Sequence, residues 1–203
     1  MFASGKPRVR KAGFFSKLGR IATVIALLGS LAISTAGGRD EELALSEYEV
    51  KALFLFNFAR YVDWPARAFG TADSPIIIGV AGESRFGDNL QKAVSGRNVS
   101  GRRLVIQTIA KPEDRSKCHI LFVAASEKAH SREILESVRS APVLTVGEAD
   151  DFVERGGTIR FLKKEGKVRL EIDLATARRS GLQISSKLLA VADVVHGKTE
   201  GGQ

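Results

Sequence analysis

The sequence predicts a single α/β domain whose mostly parallel sheet is flanked by helices and ends in an antiparallel C-terminal hairpin. Two observations predict the sheet and a third predicts the hairpin. Apolar runs of strand length recur between helical patterns, at residues 75–80, 103–109, 119–124 and 143–146. Strands that alternate with helices usually pair in parallel, and continuous apolar runs are typical of strands covered on both faces. Beyond residue 157, two segments of strand length flank Lys164-Glu165-Gly166, which predicts a tight hairpin turn.

The first helix of the domain has a clear start and a clear end. Ser46 and Glu49 form a capping-box pattern, and the helix that they open runs from Glu47 to about Val62. Trp64-Pro65 stops it. Its apolar residues cover more than one stripe, so this helix is either buried between layers or offers one face to a partner. Further helices are predicted at residues 85–94, 128–139, 174–179 and 185–195, the last with Ser185 as its N-cap.

The N-terminal residues have the three parts of an export signal. Six basic residues and no acidic residue occur in the first 20 positions, an apolar run of 13 residues follows, and small residues precede Gly37. We expect a signal peptide over 1–36 with cleavage near Ala36, a tether over 37–45, the α/β domain over 46–196 and a disordered tail over 197–203. The alternative is an uncleaved N-terminal anchor, although a spanning helix needs about 20 apolar residues.

Removal of this leader changes the charge of the protein. The whole sequence has 31 Lys and Arg residues against 23 Asp and Glu residues, a net charge of +8. Without the six basic residues of the leader, 25 basic residues remain against 23 acidic ones, a net charge of about +2. So weak a net charge creates no general basic field, which argues against nucleic acid as a partner.

The residue patterns that usually carry catalysis are missing from the sequence. It has no Gly-x-Ser-x-Gly elbow, no Walker A loop and no Gly-x-Gly-x-x-Gly motif. Cys118 and His119 are adjacent in a predicted strand, where neighbouring side chains point to opposite faces, so a Cys–His catalytic pair is disfavoured. The three histidines lack the spacing of metal ligands. We therefore predict a non-enzymatic protein without a cofactor or metal.

Polar segments follow three of the predicted strands. They are Gly82-Glu83-Ser84, Ser126-Glu127 and Gly147-Glu148. Because the carboxyl ends of parallel strands meet at one edge of a sheet, these segments would form a polar crevice where open α/β folds hold ligands. The alternative is that the acidic residues merely favour the first turns of helices. Three carboxylates in one crevice would also need a cation or separation.

The hairpin offers a second polar cluster. Arg160, Arg169 and Glu171 would share its exposed face, because they alternate with apolar residues. One interpretation is an ordinary solvated face. The other is a surface that binds a small anion or a partner protein.

The segment Glu49-Val-Lys-Ala-Leu-Phe-Leu-Phe-Asn-Phe-Ala-Arg-Tyr-Val-Asp-Trp-Pro65 resembles the opening motif of the YfiR family of periplasmic proteins. Six further stretches are similar to family motifs and occur in the same order, at residues 77–87, 99–102, 118–122, 143–147, 152–157 and 181–189. The resemblance covers about residues 46–195, which is nearly all of the expected mature chain.

This resemblance implies a periplasmic regulator. Family members resemble a repressor that binds the extracytoplasmic sensor domain of an inner-membrane diguanylate cyclase and holds the cyclase inactive, and its release raises cyclic di-GMP and favours biofilm growth. The resemblance also implies a homodimer and release by an OmpA-like outer-membrane lipoprotein. The alternative function is a periplasmic small-molecule-binding protein that serves a transporter or a sensor.

Asn57, Arg60, Trp64 and Pro65 carry the family's opening motif, and Asn57, Arg60 and Trp64 are its candidate partner-binding residues. Trp64 is the only tryptophan, and it is either an interface anchor or a cap on the core. Arg60 either contacts a partner or complements the dipole at the end of its helix. Members of the family with additional cysteines form disulfides. This sequence has one cysteine, so redox control by internal disulfides is not expected.

Overall fold

A computed structural model describes residues 45–197 of the chain, and an eight-stranded sheet with helices on both faces forms its centre. The strands are β1 (Val62–Asp63), β2 (Ile76–Ala81), β3 (Asn98–Val99), β4 (Arg102–Ile109), β5 (Ile120–Val123), β6 (Leu144–Gly147), β7 (Ile159–Lys164), β8 (Lys167–Asp173), β9 (Gln183–Ile184) and β10 (Val194–His196). The helices are α1 (Glu47–Tyr61), α2 (Asn89–Val94), α3 (Ser131–Ser137), α4 (Leu174–Arg179) and α5 (Ser186–Leu189).

The middle of the sheet is parallel, as predicted. Its five parallel strands lie in the order β4-β2-β5-β6-β7. The hairpin partner β8 adds to β7 in antiparallel orientation, β10 adds to β8, and the short β3 adds to β4. β1 and β9 form a separate two-stranded ribbon. From β2 the chain goes first to β4 on one side and then to β5 on the other, so the strand order reverses between β2 and β5.

Each face of the sheet carries its own apolar core. On one face, α1 packs Leu55 and Phe58 into a cluster with Ile78 and Phe122 of the central strands. On the other face, α3 packs against Leu121 and Phe152. Burial of each such side chain contributes about 1.5–3 kcal/mol, so both faces of the central strands stabilise the fold. This two-sided burial explains why β2, β5 and β6 are continuously apolar in sequence.

The capping box at the start of α1 is confirmed. The Glu49 amide donates to the Ser46 hydroxyl at 3.3 Å, and the Ser46 amide donates to the Glu49 carboxylate at 2.6 Å. The helix ends at Tyr61 because the next residues enter β1, where Val62 pairs with Ile184. The sequence therefore predicted this helix almost to the residue.

The last predicted helix is largely wrong. Ser185 does cap a helix, since its hydroxyl accepts from the Lys187 amide, but α5 ends at Leu189 and not at 195. Residues 194–196 form β10, which pairs with β8 and is preceded by a hydrogen bond from the Asp193 amide to the Leu170 carbonyl at 2.8 Å. Pairing with a strand distant in sequence decides the structure here, and local periodicity carries no information about it.

Two other helices are shorter than predicted. α2 begins at Asn89, because residues 85–88 form a turn in which Gly87 has a φ of 50°. Likewise, α3 covers Ser131–Ser137 within the predicted span 128–139. Short helices of this kind draw most of their stability from packing, so their ends follow the tertiary contacts.

The termini fall mostly outside the described residues. The expected signal peptide over 1–36 lies entirely there, as do residues 37–44 of the tether and residues 198–203 of the tail. Between residues 45 and 197, no helix has the length and apolar character that crossing a membrane requires.

Candidate binding site at the carboxyl edge of the sheet

The polar segments that follow β2, β5 and β6 meet at the carboxyl edge of the sheet. The Glu83 amide donates to the Ser126 hydroxyl at 2.9 Å, which joins the loops after β2 and β5. Glu83, Ser84, Ser126 and Glu148 line the same crevice. The crevice lies beside the point where the strand order reverses, which is the usual ligand position in open α/β sheets.

Side chains from the N-terminal end of α1 form one wall of this crevice. The Lys51 ammonium lies 2.5 Å from a Glu148 carboxylate oxygen and 2.5 Å from Glu47. The Tyr48 hydroxyl donates to the same Glu148 oxygen at 3.0 Å. The ammonium also lies 4.5 Å from the centre of the Tyr48 ring. A helix that belongs to one face of the sheet thus supplies a cation to the carboxylates at this edge.

Burial and charge tune the groups in the crevice. Burial alone would lower the pKa of Lys51, but its hydrogen bonds to Glu148 and Glu47 outweigh burial, so the pKa is raised. Burial and the negative Glu148 raise the pKa of Tyr48. The hydrogen bond from Lys51 lowers the pKa of Glu47, although burial opposes this shift. Lys51 is therefore charged and Tyr48 is a neutral hydrogen-bond donor at physiological pH.

The three carboxylates predicted at this edge do not share one partner or one cation. Glu148 turns to Lys51, Glu127 turns to His130 at 3.2 Å, and Glu83 is exposed. Over residues 45–197, no group of three or more histidine, cysteine or acidic side chains is placed to hold a metal ion. The edge is thus suited to polar recognition through mixed charges.

Arg160 extends the crevice onto the hairpin. Its Nη1 donates to the Asp150 carbonyl at 2.6 Å, and its Nε donates to Glu171 at 2.5 Å. A lobe of about 470 Å³ lies between this side chain, Lys51 and Tyr48. From here on, the carboxyl-edge crevice means the space lined by Tyr48, Lys51, Glu83, Ser84, Ser126, Glu148 and Arg160.

The hairpin face is less exposed than the alternation of its residues predicts. Arg160 and Glu171 are cross-strand partners on one face, as expected, but Glu171 is only 9% exposed. Its second oxygen lies 2.8 Å from His196 Nε2, which therefore acts as the donor. The His196 side chain and the Asp150 carbonyl enclose the Arg160–Glu171 pair, so the expectation of an exposed arginine face is corrected.

Arg169 is the third residue predicted on this face. Its Nε is 4.0 Å from an Asp193 carboxylate oxygen and has no hydrogen-bond partner among the described residues. The side chain is 39% exposed. Arg169 therefore lies beside the Arg160–Glu171 pair without joining it.

The candidates from the opening motif lie near the far end of α1, away from the crevice. Arg60 is exposed, and its guanidinium lies 5.4 Å from the Tyr61 ring and 5.8 Å from the Phe56 ring. Asn57 is half-buried, one helical turn earlier. At about 1.5 Å per residue along the helix axis, Asn57 lies about 9 Å and Arg60 about 14 Å from Lys51, toward the other end of α1.

Trp64 is tied to the start of β5. Its indole Nε1 donates to the His119 carbonyl at 3.2 Å, and its ring meets the His119 ring edge-on. Phe69 stacks on the same imidazole with 4.5 Å between ring centres. Because Trp64 is half-buried and hydrogen-bonded here, its contacts favour the role of a cap on the core.

Cys118 and His119 point to opposite faces, as predicted. Cys118 belongs to the α3-side core, whereas His119 packs against Trp64 and Phe69. Burial raises the pKa of the Cys118 thiol to about 11. Burial also lowers the pKa of His119, whose Nδ1 accepts from the Ile77 amide at 3.1 Å. A neutral thiol and a neutral imidazole on different faces form no nucleophile–base pair.

Two residues of the carboxyl-edge crevice, Tyr48 and Lys51, are not among those predicted from the sequence. Neither are Asp150 and His196, which bond to the Arg160–Glu171 pair. Lys51 carried a usable signal, since it is the only cation between Ser46 and Ala59 in a strongly apolar helix. A lysine in such a position needs a buried carboxylate. The partner itself could not be identified, because Glu148 is 97 residues away in sequence.

Comparison with known proteins identifies the family. A solved structure of a conserved domain protein from Vibrio cholerae is similar over 59% of this chain, with 17% identity and a TM-score of 0.46. The match spans 54% of that structure, about half its length. No curated protein matches the chain at a significant level. The model of the YfiR/HmsC-like family matches residues 48–193, which include the whole sheet up to the start of β10. The chain therefore belongs to the YfiR/HmsC-like family.

Proposed function

We propose that the protein is an exported periplasmic regulator that binds the sensor domain of an inner-membrane diguanylate cyclase and holds the cyclase inactive. The observation that carries this proposal is the family match over residues 48–193, since the family is known for regulating diguanylate cyclases. The leader expected over 1–36 supports export to the periplasm.

The carboxyl-edge crevice supports a binding role over a catalytic one. Its main charges are engaged with each other, Lys51 with Glu148 and Arg160 with Glu171. A nucleophilic enzyme needs an activated nucleophile beside a base. The only cysteine is buried with a raised pKa, and His119 lies on the opposite face.

We take the exposed end of α1 as the surface that contacts the sensor domain. Arg60 and Arg97 both stack on Phe56, with guanidinium carbons 5.8 Å and 4.7 Å from the ring centre. Both side chains are exposed, and neither makes a hydrogen bond or an ion pair with the described residues. Guanidinium groups held on an aromatic ring keep their donors available for carboxylates, and arginine is enriched among the residues that dominate interfaces.

The mechanism would be differential binding. The regulator must bind the inactive state of the cyclase more tightly than the active state, and a sharp switch needs a difference of about 5.5 kcal/mol. An OmpA-like outer-membrane lipoprotein that competes for the regulator would release the cyclase. A homodimer would present two copies of the Arg60–Phe56–Arg97 surface.

The test is deletion of the gene followed by complementation. Deletion should raise the cellular level of cyclic di-GMP, and complementation with the wild-type gene should lower it to the original level. The double variant Arg60→Ala/Arg97→Ala should leave the cyclic di-GMP level high. In a pull-down from solubilised membranes, the tagged double variant should no longer retain a cyclase. The control is Arg132→Ala, an exposed arginine on α3 across the sheet, which should behave as wild type.

Two outcomes would contradict the proposal. If deletion leaves cyclic di-GMP unchanged and pull-downs recover no membrane sensor protein, the regulator function is wrong. If the double variant complements fully, the function stands but the surface at the end of α1 is not the docking site. Light scattering of the purified protein tests the homodimer separately.

The carboxyl-edge crevice favours a second candidate function, a small-molecule-binding protein that serves a transporter or a sensor. A lobe of about 470 Å³ with mixed charges and the Phe161 side chain is large enough for a small metabolite. Under this alternative, deletion would impair uptake of a solute and leave cyclic di-GMP unchanged.

A further inference from the structure

A separate cavity lies on the α3 side of the sheet. It is bounded by α3, the start of β6, the turn before β7 and α4, and its volume is about 160 Å³. Leu135, Val138 and Val143 form its apolar wall. An apolar cavity of about 150 Å³ admits a ligand the size of benzene, so this cavity fits about six non-hydrogen atoms.

The opposite wall is polar and has unused hydrogen-bonding capacity. Ser180 is 7% exposed and lines the cavity, and its hydroxyl makes no hydrogen bond with the described residues. The hydroxyl is not one of the buried side-chain atoms that lack a partner, so the oxygen itself is accessible and can bond to a ligand in the cavity.

Arg179 supplies a cation at the same wall. Its Nη2 donates to the Thr176 hydroxyl at 2.6 Å, and that hydroxyl donates in turn to Asp173 at 2.8 Å. Arg179 forms no ion pair with a carboxylate of the described residues. Thr176 thus holds the guanidinium in place while most of its donors stay available.

Four further charged residues border the cavity and set the charge of what can bind: Glu136, Arg139, Glu154 and Arg155. Arg155 is paired with Asp151. Glu136 is engaged with Arg139 at 3.4 Å. Glu154 is exposed on the rim and has no such partner among the described residues. Its charge opposes an anion, so a ligand with one negative charge fits this environment better than a dianion.

We propose that this cavity binds a short-chain aliphatic monocarboxylate of about six non-hydrogen atoms. The carboxylate accepts hydrogen bonds from Arg179 and from the Ser180 hydroxyl, and the branched or short alkyl chain packs on Leu135, Val138 and Val143. Guanidinium–carboxylate pairing is charge-assisted and geometrically specific, and the apolar wall selects against hydrated inorganic anions.

The ligand arm of the test uses three probes of similar size. Isobutyrate, its neutral counterpart isobutyramide, and inorganic phosphate are titrated into the purified protein at constant ionic strength, and binding is followed by NMR shifts of the Leu135, Val138 and Val143 methyl groups. Isobutyrate should saturate the shifts, and the other two should bind at least tenfold more weakly. Equal binding of isobutyramide or of phosphate, or no saturation by isobutyrate, would overturn the proposal.

The variant arm separates this site from general surface charge. Arg179→Gln should weaken isobutyrate binding by about 10- to 100-fold, and Ser180→Ala by a few-fold, because a bond to a charged group is lost in each case. Glu154→Gln should strengthen binding. The matched control is Arg178→Gln, the neighbouring arginine, which bonds to the Gly197 carbonyl and does not line the cavity. If Arg178→Gln and Arg179→Gln weaken binding equally, the assignment of the site is wrong.

Discussion

The ammonium of Lys51 lies 2.5 Å from a carboxylate oxygen of Glu148, and the two side chains are only 7% and 10% exposed. This ion pair fastens the first turn of α1 to the loop after β6 and so shapes the carboxyl-edge crevice. Loss of Lys51 leaves Glu148 without a counter-charge in a poorly hydrated place, whereas loss of Glu148 leaves Lys51 with Glu47 as its remaining partner.

Replacement of Lys51 should therefore destabilise the fold. Lys51→Met should lower the free energy of unfolding by about 3 kcal/mol, because Glu148 stays buried without its cation. The double variant Lys51→Met/Glu148→Gln should recover part of this loss. Urea denaturation measures both. The control is Lys163→Met, whose exposed ammonium also pairs with Glu47 and should cost less than about 1 kcal/mol. Similar losses for the two lysines would show that the pair with Glu148 is unimportant.

Glu171→Gln tests whether the side-chain contact between Glu171 and His196 holds β10 against the hairpin. Glu171 accepts from both Arg160 and His196, so removal of its charge should lower the free energy of unfolding by about 2 kcal/mol. The amides of residues 194–196 should also exchange with deuterium faster, because β10 loses a side-chain tether. Glu165→Gln, in the exposed turn of the same hairpin, should change neither quantity. Unchanged exchange at β10 in Glu171→Gln would argue against the tether.

His119 should make stability depend on pH. Burial lowers its pKa below the ordinary value of 6.5, and the positive charge of Arg102 lowers it further against an opposing backbone interaction with Ala68. The folded protein thus binds this proton less tightly than the unfolded chain. The free energy of unfolding is therefore highest above pH 6.5, where His119 is neutral in both states. It declines as the pH falls from 6.5 toward the lowered pKa of the folded state.

His119→Asn removes this titration while it keeps an acceptor for the Ile77 amide. Between pH 7 and pH 5, the free energy of unfolding should fall less in His119→Asn than in the wild type, as urea denaturation at each pH would report. Equal falls in the two proteins would mean that other groups cause the pH dependence.

Substitutions at Trp64 and Arg60 should have different effects, the first on the stability of the fold and the second on binding of the partner. Trp64→Phe removes the hydrogen bond to the His119 carbonyl, so the free energy of unfolding should fall by about 1 kcal/mol, while recovery of the membrane partner stays unchanged. Arg60→Ala should leave stability unchanged and reduce that recovery. If Trp64→Phe abolishes recovery at wild-type stability, Trp64 is an interface anchor and not a cap on the core.

Much of the fold could be predicted because its signals are local. Ser46 and Glu49 lie three residues apart, and the hairpin turn is marked by Glu165 and Gly166, which adopt φ values of 53° and 75°. The buried strands are recognisable by continuous apolar runs, since both of their faces are covered. The segments after β2, β5 and β6 could be placed at one edge, because parallel strands end together.

What could not be predicted depends on contacts between distant residues. The apolar pattern of residues 190–196 fits a helix as well as a strand. Pairing with β8 is what makes residues 194–196 the strand β10. The alternation of polar and apolar residues in β8 predicts that Glu171 is exposed, yet hydrogen bonds from Arg160 and His196 enclose its carboxylate.

The sequence by itself determined most of the elements, the α/β class, the family and the absence of familiar catalytic motifs. Only the tertiary structure decided that the first turn of α1 closes the carboxyl edge, that Lys51 pairs with Glu148, and that Arg179 and Ser180 face a cavity. Capping, turns and periodicity act over a few residues and can be recognised locally. Ion pairs and cavities form between residues that the fold brings together from opposite parts of the chain, so their energies have no local signature.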